Sequence, residues 1–158
     1  MRDGYSNFGF FQCLKPNLIV TAALTGEAID TRGYETVLIG VVVGTLASAG
    51  ALSVDNRQQC KLEHMDSAIA GAAWSEVYPS QMIHSVVGPD GAYSTLNSGI
   101  WQSLASTEFG SKVYTVGYKG PRRYVRLVMS QVGAPSQAYI SGFAVLGLPA
   151  IWPISTPV

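Results

Sequence analysis

The chain has 158 residues, enough for one domain with a sizeable core. Charged residues make up only 13% of it, against about 25% in an ordinary soluble domain, and 10 cations balance 10 acids. That balance argues against a dedicated nucleic-acid binder, which needs a local excess of positive charge, so no nucleic-acid partner is expected, and it leaves a surface of the sort that other protein covers.

In chain order, residues 1–27 mix aromatics with Gly and Pro and read as an extended arm or irregular segment. They do not form a secretory signal: Asp3 interrupts the basic region, and Gly9 and Gln12 break the apolar stretch. Glu35 to Val43 is a continuous β-branched run, the pattern of a strand buried on both faces, and a turn region of small residues follows. The uncharged stretch Thr36 to Val54, with Gly40 and Gly44 in Gly-x-x-x-Gly spacing, admits a membrane helix as an alternative. Its second half is only weakly apolar and no basic cluster flanks it, so the strand is preferred and no membrane partner is expected.

Gln58 to Met65 alternates, with Cys60, Leu62 and His64 on one side and Lys61, Glu63 and Met65 on the other, as in a half-buried strand. Asp66 to Val77 is Ala-rich but carries Gly71, and reads as a short helix or as a loop leading into a strand at Trp74 to Tyr78. "GPDG" (Gly88 to Gly91) is a β-turn, and Asn97 to Thr107 is ambiguous. "SKVYTVGY" then places Tyr114, Val116 and Tyr118 on one face, and "KGP" (Lys119 to Pro121) turns the chain. The returning strand sets Arg123, Val125, Leu127 and Met129 against Arg122, Tyr124, Arg126 and Val128. "GAPS" (Gly133 to Ser136) turns again, and "AYISGFAVLG" is a last long strand ending at Pro149. Many short strands between Gly/Pro turns define an all-β fold, a β-sandwich or jelly-roll-like barrel with extended N- and C-terminal arms. The divisions are an arm at 1–27, a sandwich domain at 28–149 and a Pro-rich tail at 150–158.

Chemistry-bearing groupings are sparse. His64 and His84 are the only histidines; Glu63 and His64 alternate across a strand and cannot easily share an ion, so no metal site is expected. No Gly-x-Ser-x-Gly elbow or phosphate loop is present, and neither catalytic residues nor a cofactor are expected. Cys13 and Cys60 read as reduced thiols, one or both buried. Trp74, Tyr78, Tyr93 and Trp101 leave sugar stacking open as a second reading. Lys119, Arg122, Arg123 and Arg126 crowd one hairpin. Arg122 and Arg126 flanking Tyr124 put planar donors beside an aromatic anchor, a combination common at protein interfaces. Those three residues, with Trp152 in the tail, are the candidate protein-interface residues.

Four segments together resemble small structural proteins of tailed bacteriophages. Asp30, Gly33, Tyr34 and Glu35 match an Asp-x-x-Gly-[Phe/Tyr]-Glu strand start; Lys61 to Asp66 match a Lys-Leu-Glu-His-Ser-Asp-like segment, with Met65 in place of the small polar residue. Gly117, Tyr118, Gly120 and Arg123 to Leu127 match the arginine hairpin, and Leu146, Gly147 and Pro149 match the closing strand. The likeness covers roughly residues 28–149; the two ends match nothing in it. It implies a non-enzymatic capsid decoration or cement protein on the outer surface of the virion head. Its partners would be the major capsid protein and further copies of itself, as a homotrimer. A head–tail joining or tail protein, or a carbohydrate- or host-surface-binding sandwich, is the alternative.

Overall fold

A computed structural model describes residues 7–19, 23–46, 52–53, 55–67, 73–83, 99–106, 109–135 and 137–149. Their elements in chain order are β1 (Phe8–Ile19), β2 (Leu24–Thr25), β3 (Ile29–Asp30), β4 (Tyr34–Leu46), β5 (Arg57–Met65) and β6 (Ser75–Glu76). A 3₁₀ turn (Pro79–Gln81) leads to β7 (Met82–Ile83), then β8 (Ile100–Leu104), β9 (Lys112–Tyr118), β10 (Tyr124–Val132) and β11 (Ala138–Pro149). Among the described residues there is no α-helix, and no helix long and apolar enough to cross a membrane.

The strands form two antiparallel sheets. One has the order β1-β11-β4-β9-β7; the other runs β2-β10-β5-β6, with β3 also pairing β10 and β8 also pairing β5. Their inner faces supply one core, with Ile39, Val41, Val116, Ile140 and Leu146 from the first sheet and Leu62, Leu104, Val125, Leu127 and Met129 from the second. The sheets approach closely at Gly142 of β11, where an added Cβ would lie 2.6 Å from Leu127 Cδ2 and 2.9 Å from Leu14 Cβ. Only a hydrogen fits there, which explains a glycine inside a long strand. The fold is therefore an all-β sandwich.

The alternation read from the sequence holds in the folded sheets over Cys60 to His64, Tyr114 to Tyr118 and Tyr124 to Leu127, while Gln59, Met65 and Val128, in the opposite phase, are buried as well. Two expectations change. Phe8–Ile19, read as part of an arm, is a paired strand whose Cys13 and Leu14 enter the core. Pro16 is tolerated because β1 lies at the sheet edge, where one side of the backbone needs no ladder partner, and register shifts at Gln12/Leu14 and Leu14/Asn17 absorb the irregularity. Strand β4 is central, yet only its Val37, Ile39, Val41 and Val43 face is buried; Leu38 and Val42 lie open on the other side. A β-branched run signals burial on both faces only where something covers the second one.

The GPDG turn, His84, Tyr93, most of the small-residue region after β4, part of the Ala-rich segment, and the 150–158 tail with Trp152 lie outside the described residues.

Candidate interaction surface

The two outer faces differ sharply. On the β10/β5 side the charges are matched within the chain. Arg126 sits directly across from Glu63, and its Nε and Nη2 donate to Glu63 Oε2 at 2.9 and 2.6 Å. Lys61 Nζ bridges Glu63 (3.2 Å) and Glu76 (2.6 Å). Burial alone works to lower the Lys61 pKa, but these two bonds outweigh it and hold the ammonium above its ordinary value. The Arg126 guanidinium lies 4.1 Å from the centroid of the Trp74 ring.

Arg123 grips Asp30 with two bonds of 3.0 and 2.6 Å and stacks on Tyr124 at 4.7 Å. That bidentate pairing holds the Asp30 carboxyl below the usual carboxylate range. Arg122 precedes the strand; its Nη1 donates to Ser75 Oγ at 3.0 Å, and its Nε lies 3.8 Å from Asp66. The structure thus gathers Arg122, Tyr124 and Arg126 at one end of this sheet, with each arginine already partnered. Lys119, in the turn, stays exposed.

Behind the hairpin, His64 and Tyr118 join the two sheets. His64 Nδ1 lies 2.9 Å from Tyr118 Oη, which donates to the Arg122 carbonyl at 3.1 Å and accepts the Arg122 N–H at 3.2 Å. With the imidazole proton on Nδ1 every partner is satisfied. Burial, then the Arg122 charge, pull the His64 pKa below its ordinary value, while Asp66 opposes them. This is a structural pair closed off from solvent: both side chains are buried. Cys13 and Cys60 are buried free thiols; burial pushes Cys13 up to about 12 and raises Cys60 as well, so neither is poised as a nucleophile. Among the described residues no three His, Cys, Asp or Glu side chains gather to hold a metal. Trp101 is buried and cannot stack a sugar, and Arg126 already stacks on the Trp74 ring.

The outer face of the five-stranded sheet is the opposite case. From Phe8–Gln12 of β1 across β11, β4 and β9 to Ile83 of β7, no described position in the outward phase carries a charge. Large apolar side chains stand open on it: Phe10 64%, Tyr139 68%, Ile83 63%, Val113 59%, and nearer the middle Val42 41% and Leu38 38%. Its glycines are roofed by neighbours. Phe143 lies over its cross-strand partner Gly40, where an added Cβ would meet ring atoms at 2.5 and 2.7 Å. Phe8 covers Gly147, Ile83 covers Gly117, and Tyr139 covers Gly44. A shallow depression between β1 and β11 is lined by Phe10, Phe11, Gln12, Ser141, Gly142 and Phe143.

This apolar face was not among the sequence-derived candidates. Its signal was present: in β4 and β11 both alternation phases are apolar, and Gly40 and Gly44 fall in the same phase.

No family model matches the chain, and no curated protein does. Among solved structures it is similar to the CBM22-1-GH10 modules of the N-terminal endo-1,4-beta-D-xylanase 10B from Clostridium thermocellum, complexed with xylohexaose. That match has 6% identity over 98% of this chain and 28% of the other, with a TM-score of 0.39. Infectious bursal disease virus is a second similarity: the Gx strain structure matches at 12% identity, over 90% of this chain and 42% of the other, with a TM-score of 0.28. The Gt strain matches at 13% identity, over 95% and 46%, with a TM-score of 0.24. The chain thus spans less than half the length of each of these solved chains.

Proposed function

We propose that this chain is a non-enzymatic structural protein of a virion: a decoration or cement protein that binds the outside of an assembled capsid shell and reinforces it as a homo-oligomer. The observation that carries this reading is the apolar outer face of the five-stranded sheet, uncharged from Phe8–Gln12 of β1 across to Ile83. Monomeric proteins rarely leave such a face bare, whereas permanent assemblies are built on them. The three hairpin arginines, which could have held a substrate or a nucleic acid, are occupied by Asp30, Glu63, Asp66 and Ser75. The ordered likeness of four segments to bacteriophage structural proteins supplies the shell and the major capsid protein as the site of assembly.

A cement protein binds the assembled shell and not its unfolded subunits, so it stabilises by mass action, by about 2.7 kcal/mol at a free concentration a hundredfold above Kd. Shells prepared with and without the chain are compared by thermal melting and osmotic shock. The proposal requires a higher melting temperature and cosedimentation of the chain with intact shells. Equal melting temperatures together with no retained chain would refute it.

A further inference from the structure

We infer that the apolar outer face of the five-stranded sheet docks a second copy of this chain, Phe10 of each copy seating in the depression between β1 and β11 of the other. The inference rests on reading the chain as an assembly protein and deepens it by assigning the face to self-contact instead of to the shell.

Knob and hole are adjacent. Phe10 is among the most exposed apolar side chains of the face and itself forms one wall of the depression, which Gln12, Ser141 and Phe143 also line. A two-fold axis close to β1 therefore mates both knobs with both holes at once, as an isologous contact requires. A partner of another kind would need its own matching knob; an identical copy already has one.

Charge and area point the same way. Two copies stacked through this face bring few charges together: Lys15 of β1 is paired with Glu27 at 3.4 Å, and the chain as a whole has a formal net charge of +0. The large side chains of the face leave roughly 700 Å² open, near the ~800 Å² per partner of a standard interface and above the ~300–600 Å² of the largest patch on a typical monomer. Edge-to-edge pairing is the competing route, and β1 resists it. The strand carries two register shifts and Pro16, and its Lys15 turns to Glu27 at 3.4 Å. At the β1 side, stacking of faces is therefore favoured over edge pairing. The sequence resemblance implied a trimer; the reciprocal knob-and-hole geometry points to a pair.

The test is sedimentation velocity on the full chain from about 1 to about 100 μM, where contacts of this size show their dissociation. The expected mass is twice the 16.8 kDa of one chain. Phe10→Asp should weaken self-association by about a hundredfold or more, with the circular dichroism of the wild type. Tyr78→Ser, an exposed aromatic change off the sheet, should leave it unchanged. Phe10→Cys should give a covalent dimer on mild oxidation over a low background, because both native thiols are buried. A single-copy mass at every concentration, a three-copy mass, or a two-copy mass indifferent to Phe10→Asp overturns the inference. So does loss of binding to shells, to glycan arrays or to lipid vesicles in Phe10→Asp when the wild type is monomeric, since the face then belongs to that partner. A monomeric chain that still stabilises shells sinks the self-contact alone. A dimer with no effect on shells sinks the cement role alone.

Discussion

Replacing Tyr118 by Phe removes one oxygen from the seam between the sheets. That oxygen serves three polar groups: His64 Nδ1 at 2.9 Å, the Arg122 carbonyl at 3.1 Å and the Arg122 N–H at 3.2 Å. The phenyl ring still fills its place, so no cavity forms and the loss is one of hydrogen bonding. Leaving a buried donor or acceptor unsatisfied costs about 1–3 kcal/mol. The Arg122 backbone groups lie near the surface and can recover water, whereas His64 is buried, so a loss of about 2 kcal/mol is expected for Tyr118→Phe. For a chain of this length that lowers Tm by about 4–8 °C. Urea unfolding at pH 8, where His64 is neutral in both states, should show a lower midpoint at an unchanged m-value. His64→Leu should be destabilising too. The double variant should lose at least ~0.5 kcal/mol less than the two singles together, because both remove the same bond. A Tyr118→Phe protein within ~0.5 kcal/mol of wild type, or strict additivity in the cycle, would refute the reasoning.

Acid should weaken the protein through the same pair. The folded His64 pKa lies below its ordinary 6.5, so the unfolded chain binds a proton that the folded one refuses. This contribution is complete above about pH 6.5 and is lost as pH falls toward the folded value, by at most ~1.4 kcal/mol per pH unit; urea midpoints between pH 8 and 5.5 measure it, and His64→Gln should flatten the slope. Gly142→Ala forces a methyl against Leu127 and Leu14 and should destabilise by about 1–3 kcal/mol in thermal melts, with normal stability ruling out the tight approach of the sheets. Arg126→Ala strips Glu63 Oε2 of both its arginine hydrogen bonds and uncovers the Trp74 ring. It should cost about 1–2 kcal/mol in urea melts, and Arg126→Lys should recover only part of that, since a lysine cannot reproduce the planar stack. Cys13 and Cys60 should resist a thiol reagent in the native state and react in denaturant; fast native labelling would contradict their burial.

The alternating strands were legible because their signal is local. Cys60, Leu62 and His64, or Tyr114, Val116 and Tyr118, declare an inner face without reference to any other part of the chain. What was illegible is long-range. Arg126 and Glu63 are 63 positions apart, and nothing near either one names the other, so the hairpin cations read as free. Strand β1 was missed because Gly9 and Pro16 are breakers in a central strand and acceptable ones at an edge, and edge position is a property of the whole sheet. For β4 the residues themselves were read correctly, and the error lay in what covers them. A continuous apolar run reports that both faces avoid water without saying whether the second is closed by the same chain. The Gly40 and Gly44 spacing carried the missing clue, explained once Phe143 and Tyr139 are seen to lie across them.

The order of strands in the larger apolar sheet bears on how the molecule can be made. Strand β11, the last of the described strands along the chain, is inserted between β1 and β4, both of which end more than ninety positions before it begins. Until it arrives, those two earlier strands offer raw backbone edges and oily faces to whatever is near. Such non-local closure places folding in the slow range, on the order of milliseconds to seconds, and makes the half-made sheet an aggregation hazard. Clipping or premature termination anywhere before Ala138 should therefore remove the keystone and yield insoluble material instead of a shortened but working protein.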